Sequence, residues 1–295
     1  MNRRTFNKSL GAIAGALVLG QTYGQPVSLK PEDRLTMSTV NFRERFVQTK
    51  STDESFNKAP LSLEQIPEYF RDRFGLSKVE FWSKHFESLS PSYLKDLKRT
   101  LQKAKSKLVN IQFDEDYQIG SPDESVRRKS MEMSMSWLEA ASFLGSGAFR
   151  VNPNKGEVEH VISSLKIIRD ECRKKKMVLM VENHFGIEMD PDVHLRIVRE
   201  VGGIYTLPDY GNYNNDVRYD ALKKIMPLAY QVSAKTMAFD SDMNHLSYDF
   251  DKCMQIAVDS GFKGIYSVEQ WSREPVTVSD EAIADWMITR IKKYL

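Results

Sequence analysis

Three acidic side chains close apolar runs in this chain: Glu182 in "LMVENHFG", Asp209 in "TLPDYGNY" and Glu269 in "GIYSVEQW". The run Met177 to Val181, entered from the basic stretch "RKKK" and left through Glu182, Asn183 and His184, reads as a strand covered on both faces, as parallel strands are. Parallel α/β folds place their ligands at the carboxyl ends of such strands. Carboxylates that meet there cannot all stay ionised without a cation, because close like charges raise at least one pKa. A divalent metal is one remedy, and an oxygen-rich donor set points to Mg²⁺ or Mn²⁺ more than to a thiolate metal. Pairing with Arg or Lys is the other. Any one of these acids alone suits an ordinary ion pair; three at successive strand ends point to a functional cluster.

The elements that must position them alternate with regularity. "RLTMSTVNF", "SKVEFWSKHF", "LVNIQFD", "GAFRVNPN", the run ending at Glu182, "GGIYTLPDYGN", "AYQVSAKTMAF" and "FKGIYSVEQW" read as eight strands. Between them lie helical patterns, several opened by Ser-Pro or Asp-Pro and one closed by Gly261. Strict strand–helix alternation of this count predicts a (β/α)8 TIM barrel as a single domain over residues 25–295. An open doubly wound sheet competes, but no Gly-rich phosphate turn follows the first strand. The polar stretch from Arg43 to Pro60 is the longest insertion and falls on the rim by topology.

Ahead of the barrel, residues 1–24 place Arg3, Arg4 and Lys8 before a Gly- and Ala-rich apolar run, Leu10 to Gly20. This is the layout of an export signal. The paired arginines followed by Thr5, Phe6 and Lys8 resemble a twin-arginine signal, which predicts the twin-arginine export machinery as a partner and an exported, periplasmic location. The run is too short to remain as a membrane anchor. The 295 residues are 41% hydrophobic and 28% charged with a formal net charge of +2, so no concentrated basic face is expected and nucleic acid is not an expected partner. The two cysteines, Cys172 and Cys253, lack metal or redox spacing and read as core thiols.

In their order, "LMVENHFG", "TLPDYGNY", "YQVSAKTMAFD" and "GIYSVEQW" resemble the sugar phosphate isomerase/epimerase group of xylose isomerase-like barrels. The resemblance covers most of the chain, from "LTMSTVNF" to Glu269. It implies Glu182, Asp209 and Glu269 as ligands of a divalent metal, Mn²⁺ or Mg²⁺ first and Zn²⁺ next. It also implies Glu182 and Glu269 as the acid and base that exchange a carbon-bound proton of a small carbohydrate.

Strand seven departs from that pattern. The family's histidine ligand falls on or near Ser233, with Gln231 and Lys235 on the same face. Gln231 offers an amide oxygen to a hard cation. Lys235 offers an ammonium that either replaces the metal, leaving a metal-free site, or polarises a substrate carbonyl, or forms a structural ion pair. Substrate contacts are expected from Trp82 and His85 at the end of strand two, from Arg150 and Asn152 at the end of strand four, and from His184, which equally suits a fourth metal ligand, an acid/base group or a hydrogen-bond donor. His245 is a substitute ligand in the loop after strand seven, and the aromatic loop "DYGNYNND" is expected to be exposed.

An enediolate held in such a site has three outcomes: epimerisation, aldose–ketose isomerisation, or loss of a β-leaving group as in a 3-keto-glycoside lyase. Export favours free sugars, oxidised sugars or glycosides over phosphorylated ones. A sugar-binding protein with a degenerate site is the non-catalytic reading of the strand-seven departure. The multi-zinc endonucleases of the same barrel group are disfavoured by the five histidines of this chain, few of them at strand ends.

Overall fold

Each of the apolar runs becomes a short parallel strand: β1 (Leu35–Ser38), β2 (Lys78–Trp82), β3 (Lys107–Gln112), β4 (Ala148–Val151), β5 (Val178–Glu182), β6 (Tyr205–Leu207), β7 (Gln231–Thr236) and β8 (Ile265–Gln270). The computed structural model describes residues 29–51, 58–272 and 278–295; the expected export signal at residues 1–24 lies outside the described residues. Among the described residues, no helix is long and apolar enough to cross a membrane.

The strands form one sheet in the order β6-β5-β4-β3-β2-β1-β8-β7. Between the end strands, bridges at Thr206–Ala229 and Asp209–Ser233 complete the barrel. β6 is only three residues long because Pro208 follows it and has no N–H to give; the Pro208 carbonyl instead accepts from Ser233 N at 3.0 Å. Closure thus passes through Asp209 and fixes where that acid sits.

Helices α1 (Ile66–Phe74), α2 (Pro91–Lys103), α3 (Glu124–Leu144), α4 (Val158–Lys174), α5 (Pro191–Val201), α6 (Arg218–Ile225), α7 (Phe250–Asp259) and α8 (Asp280–Lys292) follow the strands in turn. Local chemistry sets their ends. Ser90, Asp123, Asp190, Asp249 and Ser279 accept backbone N–H groups at helix N-termini, and Pro91 and Pro191 occupy first-turn positions whose N–H would otherwise be orphaned. Gly75 and Gly145, at φ +69° and +87°, end α1 and α3 in the left-handed region. The amphipathic face of α4 buries Val161, Leu165 and Ile168. Truncating one such residue to Ala typically costs ~2–5 kcal/mol.

Two cores result. The larger, between helices and sheet, takes the outward side chains such as Val79, Phe81, Ile111 and Phe149. Inside the barrel, Ala148, Met180 and Leu207 form a small apolar plug under β4, β5 and β6. The interior on the β7–β8–β1–β2–β3 side is polar instead, with Ser38, Glu80, Asn110, Gln112, Gln231, Ser233 and Ser267 all buried. Cys172 and Cys253 are buried core thiols, as expected.

Candidate active site

Strand register assembles the site. The parallel pairing of β7 with β8 sets Lys235 beside Glu269, and that of β3 with β4 sets Gln112 beside Arg150. Paired residues in a parallel sheet project to the same face. Glu182 ends β5, and Asp209 lies two positions past Leu207, its register partner.

The three acids meet. Lys235 Nζ stands 3.4 Å from Asp209 Oδ2, 3.2 Å from Glu269 Oε1 and 3.0 Å from Asn212 Oδ1. Glu269 Oε2 accepts from Gln112 Nε2 at 2.5 Å and from Ser233 Oγ at 3.0 Å. Asp209 Oδ1 accepts the backbone N–H groups of Gly211 at 2.7 Å and Asn212 at 3.0 Å. Glu182 Oε2 lies 3.1 Å from Arg150 Nε, yet neither atom is hydrogen-bonded, so the contact is one of charge without alignment. Arg150 directs its terminal nitrogens to Asp114, at 2.5 and 3.3 Å.

A glycine makes the Lys235 position possible. A Cβ on Gly211 would come within 2.9 Å of Lys235 Cδ and 3.0 Å of Cγ, so the absent side chain is the space the lysine stem occupies.

Burial and charge divide the protons. Burial works against the Lys235 ammonium, but the Asp209, Glu269 and Glu182 carboxylates outweigh it and hold the pKa above the ordinary lysine value. Burial likewise opposes ionisation of Asp114, but Arg150 beside it holds the carboxyl well below the usual range. Glu182 goes the other way: burial, with the Asp209 and Glu269 carboxylates against the pull of Arg150, raises it well above the carboxylate range. Burial also raises Asp209, with Lys235 opposing. Glu182 lies within hydrogen-bonding reach of Asp209, and Glu182 Oε2 and Asp209 Oδ2, though each faces a cation, otherwise make no hydrogen bond. A proton shared between these two oxygens would give each a hydrogen-bond partner, and the upward direction at Glu182 favours that carboxyl as its carrier. His184, lowered to about 4 chiefly by burial, is a neutral imidazole there.

These groups line a cavity of about 350 Å³. Of the expected site residues, Glu182, Glu269, Lys235, Arg150, His184 and Trp82 reach it. Asp209 sits behind Lys235 and Asn212, fully buried. Trp82 is fixed by donating its indole N–H to Asp114 Oδ2 at 2.8 Å.

Six expectations are corrected. Gln231 is not beside the acids: it points one layer deeper and donates to Glu80 Oε1 at 2.8 Å. His85 lies outside the cavity, stacked on Phe46 at 3.7 Å with its ring nitrogens at Thr39 and Thr49, because the chain turns away after Trp82. Asn152 is buried and donates to Asp114 Oδ1 at 3.1 Å rather than to the cavity. The "DYGNYNND" loop does not display its rings: Tyr210 and Tyr213 are buried. His245 has both ring nitrogens committed, to Met237 N and Tyr248 O, and is no ligand. Arg150, an expected substrate contact, lines the cavity but already has its guanidinium engaged by Asp114 and Glu182.

Sequence reasoning missed Asp114 and Gln112 at the end of β3, Asn212, and Trp271 after β8. Asp114 was within reach, since "NIQFD" ends an apolar run in an acid as the other strands do.

A divalent metal does not fit this donor set. Among the described residues, no group of three or more His, Cys, Asp or Glu side chains is arranged to hold one. The Glu269 oxygens already face Gln112, Ser233 and Lys235, and the Lys235 ammonium stands between Asp209 and Glu269 where a dication would be repelled.

Residues 72–294 match the family described as xylose isomerase-like TIM barrel. No curated protein matches the chain. Among solved structures, the 3-keto-D-glucoside 4-epimerase YcjR from E. coli superimposes with a TM-score of 0.63 at 14% identity, over 87% of this chain and 99% of that one. D-Psicose 3-epimerase from Clostridium cellulolyticum H10, solved with D-tagatose, gives 0.64 at 12% identity over 89% and 99%. A xylose isomerase-like TIM barrel protein from Mycobacterium smegmatis, solved in complex with magnesium, gives 0.61 at 13% identity over 89% and 97%. At these identities the likeness is one of fold. With the family match spanning most of the barrel, the chain belongs to the xylose isomerase-like TIM barrel family.

Proposed function

We propose that this protein is an enolising carbohydrate epimerase or isomerase in which fixed side-chain cations stabilise the enediolate. The observation that carries the reading is the pair of glutamates, Glu182 and Glu269, lining one cavity with Lys235 and Arg150 between and beside them. The neighbours named as sugar epimerases support the substrate class.

The chemistry balances without a redox partner. Glu269 takes the proton from the carbon next to a carbonyl, and the electron pair moves onto the carbonyl oxygen. The Lys235 ammonium, already held at the site by Asp209 and Asn212, faces the developing oxyanion and needs no reorganisation to do so. Glu182, carrying its proton, returns one to carbon. Return to the opposite face of the same carbon gives the epimer; return to the former carbonyl carbon, with the hydroxyl proton of the first carbon passing to the former carbonyl oxygen, gives the isomer. Arg150, locked on Asp114, keeps Glu182 in place beside a permanent positive charge. An export signal at residues 1–24 fits substrates that carry no phosphate.

The test is deuterium incorporation from heavy water into a panel of ketoses and keto-glycosides, followed by proton NMR. The wild type is expected to exchange one carbon-bound proton, and Glu182→Gln and Glu269→Gln to lose that exchange. A wild-type protein that exchanges no proton from any member of the panel, while still binding sugars, contradicts the catalytic reading.

A further inference from the structure

The cavity has two halves of different chemistry. Its floor is ionic. Its mouth carries Trp82, Trp271, Phe185, Val40 and Met237. Phe185 is 64% exposed and rests on the His184 ring with centroids 4.6 Å apart, so one apolar face of it lies open at the mouth. It follows β5, whereas Trp82 ends β2 and Trp271 immediately follows β8, the strands flanking β1. In an eight-stranded barrel β5 and β1 lie opposite, so Phe185 faces the two indoles across the mouth.

The indoles are built in place. Trp82 and Trp271 meet edge to face with centroids 5.8 Å apart, and Trp82 is pinned through Asp114. Arg43 lies over the Trp271 ring at 4.7 Å and donates to the Gln270 and Ser272 carbonyls. The guanidinium is therefore a backing for the ring and not an anion receptor. Among the described residues that line the cavity, the only cations are Arg150 and Lys235, and both are ion-paired. A phosphate at the mouth would find no unengaged charge there; an apolar or ring-shaped group would find faces on both sides.

We propose that the mouth is a subsite for the second ring of a glycoside: the sugar to be enolised sits on the ionic floor and its aglycone, a second sugar or an aromatic ring, lies between Phe185 and the Trp82–Trp271 pair. This rests on the carbohydrate reading above and narrows its substrate class to keto-glycosides, because the anomeric carbon of a glycoside is an acetal and only a ring ketone leaves a carbon-bound proton to enolise. Stacking against aromatic faces supplies the affinity, and the floor supplies orientation.

Calorimetric titration of the full-length protein tests it independently of turnover. The probes are glucose, galactose and xylose, their phenyl and methyl β-glycosides, cellobiose, and glucose 6-phosphate. At least one phenyl glycoside is expected to bind ~10-fold or more tightly than its parent sugar, an increment of the size one aromatic contact gives. In Phe185→Ala and Trp271→Ala the ratio between the two ligands is expected to fall to within about threefold, and in Trp271→Phe to recover in part. Circular dichroism identifies any variant that fails to fold, and Phe185→Ala, at an exposed position, keeps the test open if the tryptophan variant does fail. Equal affinity for sugar and glycoside, an increment that survives both alanine variants, tightest binding of glucose 6-phosphate, or no binding by any glycoside overturns the proposal. Glycoside binding with no proton exchange retains the subsite and removes the catalytic reading, so the two fail separately.

Discussion

Two layers of one barrel interior bury acids, and they stabilise them by different means. In the lower layer Glu80 is alone: Oε1 accepts from Asn110 Nδ2 at 2.7 Å and Gln231 Nε2 at 2.8 Å, and Ser267 Oγ donates to Oε2. Neutral donors suffice for one acid, and its pKa rises only to about 6, chiefly through burial. In the upper layer Glu182, Asp209 and Glu269 converge, and hydrogen bonds alone could not offset their mutual repulsion. There the chain supplies Lys235, Arg150 and one retained proton. The lower arrangement holds one acid among neutral donors and does not line the cavity. The upper one holds charge of both signs and a transferable proton next to open space, which is what proton chemistry on carbon needs.

The sharpest way to break that contrast is Lys235→Met. It leaves Asp209 and Glu269 buried without their cation, and removing one partner of a buried pair typically costs ~3–5 kcal/mol. The melting midpoint is expected to fall and proton exchange to vanish. Adding Asp209→Asn should restore much of the stability but none of the exchange; recovery of both would make Lys235 purely structural.

Next in size is Glu182→Gln. If Glu182 carries the proton, as the proposed mechanism requires, the amide is close to isosteric and isoelectronic, and stability is expected to hold. The loss of a positioned acid should reduce exchange by roughly 10²–10⁴-fold. A large drop in stability would mean that Glu182 is ionised and paired with Arg150 instead.

Glu80→Gln tests the lower layer through pH. The folded pKa of about 6 lies above the ordinary 4.5, so the folded state holds this proton more tightly than the unfolded chain. That contribution is complete below pH 4.5 and is lost as pH rises through 6, an amount of about 2 kcal/mol at 1.36 kcal/mol per pKa unit. Glu269 pushes the value up and Arg150 pulls it down, and both stay in the variant. Denaturant midpoints measured from pH 4 to 7 should show this decline in the wild type and a flatter profile in Glu80→Gln. The same slope in both would place the titration elsewhere.

The smallest expected effect is that of Gly211→Ala, which pushes a methyl into the Lys235 stem. Overpacking of this kind costs ~1–3 kcal/mol. Exchange should fall more than stability, because the ammonium moves off Asp209 and Glu269; unchanged exchange would show that its position is not critical.

Much of this was legible in the amino-acid order. Eight covered strands announce themselves as apolar runs, and Glu182, Asp209 and Glu269 stand out because polarity begins where each run ends. What the order does not carry is register. Lys235 meets Glu269 because β7 and β8 pair in step, and Gln231, four residues earlier on the same face, falls by the same register into the Glu80 layer. His85 illustrates the second gap: a short 3-10 turn, Ser83–His85, carries its ring under Phe46 and away from the mouth, and strand periodicity does not extend through such a turn. Glu80 itself was a readable signal, an acid inside "KVEFW" where every neighbour is buried.

The central claim is that side-chain cations do the work at this site, and chelation tests it most directly. Protein dialysed against EDTA and shown metal-free by elemental analysis should exchange the carbon-bound proton of its best keto-sugar at the untreated rate, and added Mn²⁺ or Mg²⁺ should leave that rate unchanged. Exchange that disappears on chelation and returns with either ion would contradict the account and place a metal where Lys235 now stands.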